Sequence, residues 1–79
     1  MAFTEGLDRG RRLAGLSMMD LWVAYIGLGG TMPETVVQGY LGGGPTPPRE
    51  HDLIAHAINE RLADVGSPQR MAYVEELSA

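Results

Sequence analysis

Apolar positions recur with helical spacing along most of the chain, and no stretch alternates in the manner of a strand. They are densest in residues 17–28, SMMDLWVAYIGL. At about 100° per residue, Met18, Met19, Leu21, Trp22, Val23, Tyr25, Ile26 and Leu28 cover well over half of a helical cylinder, leaving Asp20, Ala24 and Gly27 on the remaining strip. A helix apolar nearly all round belongs at the centre of a core or in an interface. Ser17 is placed to cap its start, and Gly29 and Gly30 supply the left-handed conformation that ends it. A second helix is predicted over 32–41, where Thr31, Pro33 and Glu34 combine a capping box with a first-turn proline. Met32, Val36, Val37, Tyr40 and Leu41 form its apolar face, and Gly42, Gly43 and Gly44 stop it. The third and longest helix is predicted over 48–65, PREHDLIAHAINERLADV, with Leu53, Ile54, Ala57, Ile58, Leu62 and Val65 as its buried stripe.

The two ends are less well patterned. Residues 1–16 read as a weak helix capped by Thr4, or as a frayed arm carrying Arg9, Arg11 and Arg12, because Gly6, Gly10 and Gly15 each disfavour a helix by up to about 1 kcal/mol. The tail offers Met71, Tyr73, Val74 and Leu77, which suit either a short helix or an extended clamp. The expected organisation is an N-terminal arm over 1–16, a helical core domain over 17–66, and a C-terminal tail over 67–79. The fold class is all-α, a small orthogonal or bundle-like domain of three firm helices.

Size makes that core marginal. A chain of 79 residues and 8.5 kDa exposes about 4,700 Å² when folded and buries roughly 60% of its unfolded surface. With no cysteine, disulfides, thiolate metal sites and cysteine nucleophiles are excluded. No apolar run reaches the about 18 residues of a membrane span, and no basic-then-apolar leader opens the chain, so a cytoplasmic protein is expected. Ten acids against six bases, all arginine, give a net charge of −4, which argues against a bulk nucleic-acid footprint.

Several residues invite a chemical reading. The glycine string at Gly27, Gly29 and Gly30 lacks the preceding strand and the lysine of a phosphate loop, so it is punctuation. Asp52, His56 and Glu60 stand at i, i+4 and i+8 with Asn59 beside them, and His51 lies off that row. Ligands strung along one straight helix cannot converge on one ion, because adjacent members sit about 6 Å apart; no metal and no cofactor is expected. Arg61 falls in the middle of the apolar stripe of its helix, where an unpaired guanidinium is prohibitive. The expected remedy is an ion pair with Asp20 or Glu34, at the starts of the two helices that this face should meet. The apolar surplus on 18–28 predicts an interaction surface drawn from Met19, Val23, Tyr25, Leu28 and Tyr40.

An acidic helical chain of this size is similar in gross composition to acyl-carrier proteins, but Ser17 follows Leu16 rather than aspartate, and no long first helix precedes it. The tight Gly-Gly-Thr joint between Ile26 and Val36 resembles a helix-turn-helix corner, although the would-be reading helix has Glu34 and no base to offer phosphate. The strings LWVAYIGLGGT (21–31), ETVVQGYLGG (34–43) and EHDLIAHAINERLADVG (50–66) resemble short helical proteins of actinobacterial type. That group pairs a Leu-Trp helix ending in Leu-Gly-Gly with a His-Asp…His-Ala…Asn-Glu-Arg-Leu helix. The resemblance covers residues 17–66, brings no functional residue with it, and implies an independent domain in a regulatory or adaptor context. The expected function is therefore non-enzymatic: binding to a protein partner or to a second copy, with a helix-turn-helix DNA-binding regulator as the alternative and a small metal or ligand sensor third.

Overall fold

The computed structural model describes the backbone of residues 2–4 and the whole of residues 6–77. In chain order these residues form β1 (Ala2–Thr4), α1 (Leu7–Leu13), α2 (Met18–Gly27), α3 (Glu34–Leu41), α4 (Pro48–Asp64), β2 (Gln69–Met71) and α5 (Val74–Leu77). The three long helices lie where their periodicity predicts, and the class is all-α. The accessible surface, 4639 Å², is that of a compact single chain of this mass.

The helix ends follow local chemistry. Ser17 Oγ accepts a hydrogen bond from the Asp20 backbone N–H at 3.0 Å, the expected cap. At the start of α3, Pro33 itself is the cap residue and no side chain caps the helix, so the Thr31–Glu34 capping box does not form. Pro48 opens α4, where its missing N–H is no loss. Gly29 ends α2 at φ 101°, a conformation that favours glycine.

The core is built around α4. Its residues Ile54, Ala55, Ala57, Ile58 and Leu62 are buried with Leu21 and Tyr25 of α2, Val37 of α3, Leu7 and Ala14 at the two ends of α1, and Met71 after the last long helix. The N-terminal segment is therefore docked. Within it, Arg11 and Arg12 both pair with Asp8, at 3.0 and 2.9 Å, and Arg11 Nη1 donates to the Leu16 carbonyl at 2.8 Å.

Two strands were not expected. β1 and β2 pair in parallel, with Ala2, Phe3 and Thr4 opposite Gln69, Arg70 and Met71. The helix proposed for 1–16 is correspondingly shorter: Gly6, at φ 79°, precedes its first residue, and Thr4 belongs by its backbone to β1. The Phe3 side chain lies outside the described residues. The tail is both of the forms it suggested, an extended strand followed by one turn of helix.

Candidate interaction surface

Three groups of residues on α2 and α4 have distinct environments, and their geometry decides which of them is free to act. The first is the clasp between α2 and α4. Tyr25 is fully buried; its hydroxyl donates to Glu50 Oε1 at 2.7 Å and accepts from the backbone N–H groups of Thr31 and Met32 at 3.3 and 3.1 Å. Trp22 Nε1 donates to the Met32 carbonyl at 3.0 Å, so both aromatics hold the α2–α3 corner. Gly30 lies flat on the Tyr25 ring, and a β-carbon there would collide with it. Arg49 completes the clasp, donating to the Gly29 carbonyl at 2.9 Å and to Glu50 Oε1 at 3.3 Å. Burial, and then the Glu50 carboxylate that accepts its hydrogen bond, raise the Tyr25 pKa above the ordinary tyrosine value, while the Met32 and Thr31 N–H groups pull it down. Tyr25 is thus a core residue, not part of a surface. Its three polar partners make burial affordable where sequence alone suggests exposure.

The second group is the polar row on α4. Asp52 Oδ1 accepts from the Val74 backbone N–H at 2.9 Å, capping α5 from outside. Asn59 exchanges two hydrogen bonds with the backbone of Met71, donating to its carbonyl at 3.0 Å and accepting from its N–H. His56 places Nδ1 3.2 Å from the Tyr73 hydroxyl and Nε2 2.9 Å from Glu60. Asp52, His56 and Asn59 together receive the chain from the last residue of β2 to the start of α5. Among the described residues no group of three potential metal ligands converges.

The third group is the outer face of α2. Met19, Val23 and Ile26, at i, i+4 and i+7, are exposed to 52%, 58% and 38%. That spacing aligns them in one stripe along the helix. Of the surface expected from sequence, Met19 and Val23 belong to this stripe. Leu28 and Tyr40 are partly buried against the core, and Ile26 is the residue that expectation omitted.

The pairing expected for Arg61 is absent. Arg61 is exposed and forms no ion pair among the described residues, with Asp20 and Glu34 included. A helical wheel has no axial coordinate: at the last turn of α4 Leu62 is still covered, whereas the Arg61 side is not. Val65, one turn beyond Arg61 on the same side, is also exposed, at 53%. Among the described residues the buried charge is instead Glu50.

No described helix is long and apolar enough to cross a membrane. No protein-family model, curated protein or solved structure matches the chain.

Proposed function

We propose that this protein is a small, non-enzymatic binding module, regulatory or adaptor in role, that acts by docking the outer face of α2 against another protein, a second copy of itself included. One observation carries the reading: Met19, Val23 and Ile26 stay exposed in a line on a ten-residue helix although α1 and the tail are both docked elsewhere. Three aligned apolar side chains fit the way an amphipathic helix enters a groove or packs on a second helix. A stripe this short suits a weak or transient contact rather than an obligate one. A cytoplasmic setting is part of the reading.

The test is sedimentation across a wide concentration range, together with capture from native cytosol, comparing the wild type with Val23→Asp. Exposure of Val23 keeps the folding cost of the substitution within about 0.5 kcal/mol. The expected result is self-association, or a captured protein, that Val23→Asp weakens at least about ten-fold. A wild type that stays monomeric and captures nothing sensitive to Val23→Asp overturns the proposal. Salt-dependent retention on duplex DNA points instead to the helix-turn-helix alternative.

A further inference from the structure

Between the start of α1, the end of α3, the first turn of α4 and the β2–α5 segment lies a cleft of about 590 Å³. Its size falls within the range of small-molecule sites, which are mostly apolar with a few placed polar groups. Leu7, Leu41, Met71 and Leu77 supply apolar wall, and Tyr40 stands among them. The charged or titratable side chains on the wall, apart from Tyr40, are His51 and Glu76.

Both of those groups present acceptors. His51 is largely buried, with 15% of its side chain exposed, and its Nδ1 lies 3.2 Å from Asp52 Oδ1. A carboxylate only accepts, so this hydrogen bond places the proton of the neutral ring on Nδ1 and leaves Nε2 as a lone pair. Among the described residues His51 Nε2 has no hydrogen-bond partner, and it is not sealed from solvent either. Asp52 is itself fixed by the Val74 N–H, so the imidazole is oriented from behind. Glu76 uses Oε1 to accept from Arg70, at 2.6 Å, and from the Tyr73 N–H, at 3.0 Å. Arg70 already neutralises that carboxylate, so a ligand need not bring a full positive charge.

We infer that this cleft binds a small apolar molecule whose head group donates a hydrogen bond, an alcohol or an amine, with the donor directed to His51 Nε2 and the apolar body along Leu7, Leu41 and Met71. A carboxylate head is disfavoured, because it would set an acceptor against a lone pair and a second carboxylate. The site is separate from the α2 stripe, and the two readings stand or fall independently.

The test uses the full chain in mildly alkaline buffer, titrated with 1-octanol, octylamine and sodium octanoate while backbone amide and imidazole resonances are followed by NMR. The expected result is saturable shifts at Gly6, Gly43, Ala72 and His51 with octanol and octylamine, and octanoate weaker by at least about ten-fold. His51→Phe should weaken octanol by about ten-fold, the loss of one hydrogen bond. Leu41→Trp, which fills the cleft from α3, should abolish binding whether or not His51→Phe folds. Octanoate binding as tightly as octanol, shifts confined to Met19, Val23 and Ile26, no saturation with either donor, or binding unchanged in Leu41→Trp would each overturn the assignment.

Discussion

The two sides of α4 are held to the rest of the molecule by different means. At its first turn, Glu50 and Arg49 meet α2 through a fully buried tyrosine, and the ring of Tyr25 is fixed above by Gly30 and around its hydroxyl by three hydrogen bonds. Along the polar row, Asp52, His56 and Asn59 grip the backbone and one hydroxyl of residues 71–74 across a partly exposed surface. Hydrogen bonds inside a packed core leave an expensive orphan when one partner is lost, whereas those at a wet margin are replaced by water. The first contact should therefore fail only with the whole fold, and the second should open locally at lower free energy.

Removing the Tyr25 hydroxyl breaks the first contact most directly. Tyr25→Phe leaves buried Glu50 with only its longer Arg49 contact, and the Thr31 and Met32 N–H groups without their acceptor, and should lower global stability by about 1–3 kcal/mol, measured by urea unfolding at neutral pH. The pH dependence sharpens this. Because the folded-state pKa of Tyr25 is raised, the stability tied to its neutral phenol is complete below the unfolded value of about 10 and is lost as pH rises through the folded value. The gap between wild type and Tyr25→Phe should accordingly narrow in that alkaline window. A gap that is constant or that widens there would remove Tyr25 ionisation as its source.

Asn59→Ala probes the second contact and should cost about 1–2 kcal/mol for two hydrogen bonds to Met71. Its signature is regional: amide hydrogen exchange should accelerate across 69–77 much more than across α2 and α3. Uniform acceleration would show that the tail and the core open together. Arg61→Ala should have the smallest effect, within about 0.5 kcal/mol, because an exposed unpaired arginine leaves no buried partner behind. A drop of several degrees in melting temperature would restore the ion pair that its wheel position suggests.

How much of this was legible beforehand follows from the range of each signal. The three long helices carry periodicity, proline and glycine stops within their own residues, and their observed limits differ from the expected ones by two residues at most. Strands of three residues have no period to detect, and β1 meets β2 from the opposite end of the chain. The row Asp52, His56 and Asn59 was visible as a row, but its partners are main-chain groups, which have no sequence signature. Tyr25 and Arg61 exchanged their expected environments for one reason: a helical wheel ranks side chains by angle, while burial also depends on where along the axis a neighbour begins and ends.

The parallel pairing of β1 with β2 also sets how the protein bears a mechanical load. Tension between the chain ends would reach β1 at Ala2, where it begins, and β2 at Met71, where it ends, the latter after passing α5; the in-register parallel arrangement puts these points at opposite ends of the two-stranded ribbon. Pulling then strains the inter-strand hydrogen bonds side by side, in shear, instead of peeling them apart one after another. A molecule tethered through both termini would meet force at this short seam on its N-terminal side and at α5 on its C-terminal side, before its three long helices.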